Sequence, residues 1–555
     1  MELAGKVEGP VFGRGRHRRA SPLAEVEELC AGAGPEGPLL VICGGQLGSW
    51  ERAMLASRLA SAVPGVGALV VEDLCHRGHG LPAVLGARRT SGLVLAACDQ
   101  AGAAAAVGEA VSLGIDSARA ASVLLPPALF ERERLLEAVC LAGAKKAEML
   151  ADEPLAGRAR LQLQGAIDRR TLLSAWREVA RHTALLDSTK CLGASRCGVC
   201  IDGCPVSALR TSAGVFRVDT LRCTSCGRCT TLCPSGALSL PGASLAGLAA
   251  ELETLLGEGV DSYTIACAKA TAEPAAGRAD PGSQAAIVAL PCVAMASPGL
   301  LLGLLARGAS VDLAGCPGCP SDQALIRSAG FVERILGALD RADLSERLLS
   351  PGRIRTGYKP RAASGDPVAP PAGALHPLEL REPLATSSAI ALLLSDPGVS
   401  RVSEEDIVDD GAPGGIVRID AEACTLCGAC VLGCPAGAIE WEGDPRGLVV
   451  DTARCIGCSR CVAGCPEKAV RVVRGINLQG VQRGPVHLVP RRAEVAWSCS
   501  RCGMTVEDDP MLAAVTRRLT DYGASATLLA SLRRCPGCGS PAPRNPGGAT
   551  PRGPR

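Results

Sequence analysis

Residues 424–435 read CTLCGACVLGCP, and residues 455–466 read CIGCSRCVAGCP. Each stretch spaces four cysteines as C-x2-C-x2-C-x3-C and closes on proline. The cysteines are Cys424, Cys427, Cys430 and Cys434 before Pro435, then Cys455, Cys458, Cys461 and Cys465 before Pro466. Three thiolates from one tight loop can wrap three corners of an iron–sulfur cubane. A fourth must arrive from another direction, and the proline turns the chain away to allow it. A zinc site needs only four ligands and does not account for eight cysteines in this order.

This double run resembles the bacterial two-cluster ferredoxins. The resemblance implies crossed ligation, in which the last cysteine of each run serves the other cluster. One cluster then takes Cys424, Cys427, Cys430 and Cys465, and the other takes Cys455, Cys458, Cys461 and Cys434. The pattern recurs upstream. Cys223, Cys226, Cys229 and Cys233 before Pro234 form a complete run. Its partner has Cys197, Cys200 and Cys204 before Pro205, but Ala194 stands where the first cysteine belongs, and Cys191 lies three residues earlier. Two readings stay open. A longer loop lets Cys191 ligate, so that the module holds two [4Fe–4S] clusters; or Cys197, Cys200 and Cys233 hold a three-iron cluster or a labile fourth iron. The first is favoured. Cys204 joins Cys223, Cys226 and Cys229 either way. Arg222, Arg228, Arg454 and Arg460 flank the second run of each module, and a positive charge there would favour the reduced cluster; solvated surface arginines are the plainer reading.

The chain has 555 residues, enough for several cores. Its hydrophobic content is 47% but its aromatic content only 2%, so cores are built from small aliphatic side chains. A net charge of +2 gives no case for nucleic acid. The 29 cysteines lie mostly in clusters, and the N-terminal stretch from Met1 to Ala20 is polar and Arg-rich, without the apolar run of a signal peptide. Thiolate-bound metal in a reducing cytoplasm is the expectation, rather than a disulfide scaffold. The apolar stretch Ile287 to Ala306 is broken by Pro291 and Pro298, and reads as strand, loop and helix instead of a membrane span.

Outside the modules the pattern is α/β. Apolar runs at 38–45, 68–75 and 91–100 end at or near Cys43, Cys75 and Cys98, with helix-forming sequence between them. Runs at 263–270, 285–292 and 309–319 do the same at Cys267, Cys292, Cys316 and Cys319. The similar spacing suggests a duplicated α/β-plus-ferredoxin pair. The segment ALPCVAMASPGLLLGLLARGASVDLAGCPGC (289–319) resembles the delta subunit of methyl-viologen-reducing hydrogenase, which delivers electrons to heterodisulfide reductase. That resemblance implies a [2Fe–2S] cluster on Cys267, Cys292, Cys316 and Cys319. The N-terminal copy, with His76 and His79 near Cys75, reads as a degenerate copy or docking surface. Cys30 and Cys140 read as ordinary cysteines.

Near the C-terminus, Cys499-x2-Cys502 and Cys535-x2-Cys538 form two knuckles suited to zinc or a single iron. CPGCG (535–539) resembles rubredoxin, but a helix at 510–523 separates the halves, which favours zinc. No G-x-G-x-x-G follows a strand, so no flavin or nicotinamide site is evident, and no acid–base constellation appears.

The expected fold class is multidomain, α/β plus α+β: two parallel-sheet α/β units alternate with two ferredoxin-like modules, and a zinc-ribbon-like knuckle follows. The expected boundaries are a loose 1–37, an α/β unit at 38–150, a helical connector at 151–186, a module at 187–242, the delta-like unit at 260–348, a Pro-rich linker at 349–415 with a helix at 389–395, a module at 416–475, the knuckle at 490–540 and a disordered tail at 541–555. The expected function is an electron-transfer subunit with three to four [4Fe–4S] clusters. It would serve catalytic redox subunits of a heterodisulfide-reductase-, hydrogenase- or formate-dehydrogenase-like complex. A disulfide-reducing enzyme subunit and a cluster-based redox sensor are the alternatives.

Overall fold

The computed structural model describes residues 37–44, 46–47, 49–71, 90–98, 106–107, 110, 115, 119–125, 129–130, 132–151, 183–193, 196–212, 215–240, 243–267, 286–315, 322–349, 378–399, 402–442, 447–489, 497–506 and 510–539. The chain divides into two compact units. One comprises Met1–Cys191, Cys200–Gly330 and Ala342–Arg381; the other comprises Leu192–Val199, Phe331–Arg341 and Glu382–Arg555.

The first unit begins with a parallel sheet of β1 (Leu39–Cys43), β2 (Gly67–Val71), β3 (Leu93–Ala97) and β4 (Ala120–Leu124), in the order β2-β1-β3-β4. Every residue of β1 and β3 is buried, as a sheet covered on both faces requires. Helices α1 (Ser49–Ala62) and α2 (Glu133–Ala151) pack on it. A ferredoxin-like module follows: β5 (Leu185–Leu186), α3 (Val199–Asp202), the hairpin β6 (Leu209–Ser212) and β7 (Val215–Val218), α4 (Arg228–Leu232) and β8 (Leu238–Ser239), with β5 antiparallel to β8.

Helix α5 (Leu245–Gly257) then leads to a second parallel sheet. This holds β9 (Ser262–Cys267), β10 (Ala286–Leu290), β11 (Ser310–Ala314) and β12 (Leu348–Leu349), in the order β10-β9-β11-β12. Numbered within each sheet, both run 2-1-3-4. Helix α5 packs on α2, and the contact holds a buried ion pair, Lys146 Nζ to Glu251 Oε2 at 2.6 Å. Lys146 also donates to the Ser122 carbonyl at 3.3 Å. The end of β10, a 3-10 turn at Val293–Met295 and helix α6 (Pro298–Leu305) make up most of the apolar stretch from 287 to 306. Ser297 caps α6 by accepting from the Leu300 amide, and Pro298 occupies its first turn. Among the described residues no helix is long and apolar enough to cross a membrane.

Helix α7 (Asp322–Ala338) follows β11 in sequence. The second unit continues with α8 (Leu384–Leu394) and β13 (Ile407–Val408). Its module contains β14 (Gly415–Ile419), α9 (Ala429–Gly433), the hairpin β15 (Ile439–Glu442) and β16 (Gly447–Val450), α10 (Arg460–Gly464) and β17 (Val470–Ile476). Strand β17 pairs antiparallel with both β13 and β14. After α11 (Leu478–Arg483), β18 (Val486–Val489) adds a third strand to the hairpin by pairing with β16. The C-terminal part holds the short pair β19 (Trp497–Ser498) and β20 (Thr505–Val506), then α12 (Pro510–Asp521) and α13 (Ala526–Leu532).

Two expectations need correction. The 349–415 linker is too long, because 378–399 is packed structure: α8 starts at Leu384 and buries Ile390 and Leu393, while Leu378 and Leu380 are also buried. The first sheet also has a fourth strand, β4, that the apolar runs did not announce. The loose N-terminus before Gly37, Cys30, Cys75, His76, His79, Cys316, Cys319, most of the 151–186 connector and the tail lie outside the described residues.

Candidate metal and cluster sites

The second module brings its cysteines together in the crossed arrangement. Cys424, Cys427, Cys430 and Cys465 line one cavity, walled by Ile419, Leu448 and Val470 and edged by Glu467. Around the other centre, the neighbours that oppose ionisation of Cys455 are Cys434 and Cys458. Burial pushes the Cys430 thiol up to about 11 and Cys461 up to about 12, and adjacent thiolates add to both shifts. Burial likewise pushes Cys455 up to about 11. Four thiolates side by side in a partly buried site repel one another unless a cationic core lies between them. The donor set therefore fits an iron–sulfur cluster.

The backbone holds these sulfurs in a frame that occurs four times. After each Cys-Pro, an alanine four residues beyond the cysteine donates its amide to the thiolate: Ala208 to Cys204 (3.3 Å), Ala237 to Cys233 (3.2 Å), Ala438 to Cys434 (3.2 Å) and Ala469 to Cys465 (3.3 Å). The residue before each alanine is left-handed: Ser207, Gly236, Gly437 and Lys468, with φ between 50° and 63°. The carbonyl of each alanine then accepts from an aspartate amide on the opposite run. These bonds are Asp219 to Ala208 (2.7 Å), Asp187 to Ala237 (2.8 Å), Asp451 to Ala438 (2.9 Å) and Asp420 to Ala469 (2.8 Å). Each aspartate stands four residues before the first cysteine of its run. Its Oδ1 accepts from the amide two residues on, in Thr189, Leu221, Glu422 and Ala453, which closes an Asx turn. One alanine thus ties the last cysteine of one run to the first cysteine of the other.

That frame places Cys191. It follows Asp187, whose amide binds Ala237 beside Cys233, as Cys424 follows Asp420 beside Cys465. In the regular runs the second residue after the first cysteine is left-handed: Ser225 (φ 57°), Leu426 (φ 52°) and Gly457 (φ 64°). Gly193, two after Cys191, has φ 90°. The Gly193 carbonyl then accepts from both the Arg196 and Cys197 amides, each at 2.9 Å. Cys191, Cys200, Cys204 and Cys229 are half-buried against the apolar core formed by Leu209, Cys233, Ala237 and Leu238. Burial raises Cys226 and takes Cys229 well above the usual thiol range, and Cys204 is among the neighbours adding to both. The Asp-x3-Cys and Cys-Pro-x2-Ala spacings are legible in the sequence, but the cysteine count alone does not use them.

Of the flanking arginines, Arg454 is paired with Glu440 at 2.8 Å and Arg460 Nε donates to the Arg196 carbonyl at 3.0 Å. In the second α/β sheet Cys267 ends β9 opposite Leu290, and Cys292 lies two residues past that partner. Both cysteines are buried, and Cys267 Sγ lies 3.7 Å from the Pro291 carbonyl. They share the carboxyl edge of a parallel sheet, where sites usually form. The turn after Cys292 packs on the first module: a Cβ on Gly227, between Cys226 and Cys229, would sit 2.3 Å from Met295 Sδ. In the N-terminal sheet Cys43 is part of the buried apolar core and Cys98 packs against it. Cys140 is fully buried, with its thiol pushed up to about 12 by burial; this is an inert packing cysteine.

The sulfur atoms of Cys499, Cys502, Cys535 and Cys538 all lie within 4.8 Å of one another. Cys502 and Cys535 are 3.7 Å apart, close to the roughly 3.8 Å edge of a tetrahedron with about 2.3 Å metal–sulfur bonds. The Cys535 amide donates to Cys499 Sγ at 3.2 Å; this and further amides hold the Cys499 thiol down to about 6. The donor set fits one tetrahedral metal ion.

Comparison with known families supports this geometry. The 4Fe-4S dicluster domain family matches residues 423–470, and the 4Fe-4S binding domain family matches residues 216–239. Search of the curated proteins finds no match to the chain. Two ferredoxin-type 4Fe–4S domains define an iron–sulfur electron-transfer protein.

Proposed function

We propose that this chain is an electron-relay subunit that passes single electrons through four [4Fe–4S] clusters inside a larger redox complex. The observation that carries this is the fourfold Asp–Ala–Cys frame. It gives Cys191 a backbone setting like that of Cys223, Cys424 and Cys455, which supports Cys191 as the fourth ligand in a set with Cys197, Cys200 and Cys233. A [2Fe–2S] or related cluster on Cys267, Cys292, Cys316 and Cys319 is the hydrogenase-delta-like part of the proposal. The burial of Cys267 and Cys292, and the packing of Met295 on the first module, support a relay from that edge into the cluster of Cys204, Cys223, Cys226 and Cys229. The C-terminal knuckle holds zinc.

Donor and acceptor are catalytic subunits of a heterodisulfide-reductase-, hydrogenase- or formate-dehydrogenase-like assembly in the cytoplasm. Leu221 and Leu432, which are 89% and 90% exposed and adjoin cluster-binding cysteines, suit transient docking of such partners. No residue of this chain is assigned bond chemistry. Anaerobic purification with iron, sulfide and zinc analysis and EPR tests the reading. Four cubanes and one zinc are expected, and fewer than two cubanes overturn it. Substrate turnover by the purified chain alone would sink the pure relay.

A further inference from the structure

Glu467 is the odd residue among the four cluster turns. The residue after each Cys-Pro is Val206, Ser235, Ala436 or Glu467, so only one turn carries a charge. Glu467 edges the cavity formed by Cys424, Cys427, Cys430 and Cys465 and is only 17% exposed. Its Oε1 accepts from Thr425 Oγ1 at 3.5 Å, between Cys424 and Cys427. Its Oε2 is paired with Arg518 Nη2, on helix α12. That helix lies in sequence between the two knuckles of the four-cysteine site. It packs on α13, and the α13 end is fixed to the first knuckle: Ser500 Oγ donates to the Ala530 carbonyl at 2.7 Å and the Ser500 amide to the Arg533 carbonyl at 2.8 Å. A solvent-facing structural knuckle needs no such contact with a carboxylate at the cluster edge.

We infer that Arg518 is a positioning residue through which the C-terminal four-cysteine site tunes the reduction potential of the cluster held by Cys424, Cys427, Cys430 and Cys465. The inference rests on the cluster assignment proposed above. When that cluster accepts one electron it gains one negative charge. A bare Glu467 carboxylate beside it opposes the electron, and Arg518 offsets that opposition. The knuckle metal keeps α12 in place and so keeps the carboxylate neutralised. Losing the metal would release Arg518 and make this one cluster harder to reduce.

The test is an EPR-monitored titration of the full chain with dithionite as the one-electron donor. Arg518→Gln should move one reduction wave to lower potential and leave the others in place, whereas Arg518→Lys should hold it near the wild-type value. Glu467→Gln should move the same wave upward. Cys538→Ser, which removes one knuckle ligand, should lower the wave in the wild-type background and add nothing in Arg518→Gln. Shifts of one sign for Arg518→Gln and Glu467→Gln, or no shift in either, would overturn the inference. So would an equal drop from Cys538→Ser in both backgrounds. Absence of any cubane signal from wild-type protein would instead remove the cluster assignment itself.

Discussion

The two ferredoxin modules share one backbone frame but close it in opposite ways. In the second, the glycine after the second cysteine, Gly428, is covered by the module's own Trp441, whose Cζ2 would lie 2.6 Å from an added Cβ. In the first, Gly227, which follows the second cysteine of the later run and so corresponds to Ser459, is covered by Met295, which belongs to the second α/β sheet's connecting turn. The second module's hairpin is extended by β18. Among the described residues the first module's hairpin remains two-stranded, with Arg210 directly opposite Arg217 and Arg210 steadied by an ion pair to Asp219. Like charges facing across strands cost stability. The first module thus gives up self-sufficiency and draws its packing from the α/β frame, whereas the second is a finished module with one charged tether.

The sharpest way to break the comparison is at Cys191. If both modules hold two cubanes, Cys191→Ser should remove one cluster, and iron and sulfide should each fall by about four per chain. Unchanged content would show that the modules differ in ligation and not only in packing. Next is the frame around the first module. Lys146→Met alone strands Glu251 in the α2–α5 contact and should cost about 3–5 kcal/mol, read as a lower thermal midpoint. Lys146→Met with Glu251→Leu should recover most of that, and the second module's EPR signals should persist in both. A smaller effect comes from the two glycines. Gly227→Ala and Gly428→Ala each force a Cβ onto a left-handed residue and should cost about 1–3 kcal/mol in unfolding experiments. Met295→Ala should relieve part of the loss at Gly227 but none at Gly428. Smallest in stability are Leu221→Asp and Leu432→Asp, within about 0.5 kcal/mol by chemical denaturation. They should instead slow reduction by a partner protein measured by stopped flow, and equal rates to wild type would remove both leucines from the docking faces.

The modules were legible in the sequence because ligation imposes spacing, and spacing survives without packing information. The parallel sheets were legible because β1, β3 and β10 are continuous apolar runs. Strand β4 escaped notice because AASVL (120–124) has too little apolar contrast with the Ala-rich sequence around it. Helix α8 is longer in the fold than its sequence suggests, because prolines at 367, 370, 371, 377 and 383 dominate the composition around the buried Leu378, Leu380, Ile390 and Leu393. The expectation for Cys191 rests on counting cysteines, whereas the bond from the Asp187 amide to the Ala237 carbonyl is a register that the cysteine count does not use. The Arg518–Glu467 contact joins residues 51 apart through a fold, and no local pattern records it.

The alanine of each Cys-Pro turn has one more consequence. Its amide faces one run's sulfur and its carbonyl faces the other run's aspartate, so neither half of a module can be set without the other. Assembly should then be all-or-none within a module. The first cluster delivered during maturation orders the cradle for the second, and a chain damaged at one centre is exposed to losing its neighbour. With two clusters in each module, as proposed above, the second of each pair should be inserted faster than the first, which time-resolved reconstitution of the apo chain would read.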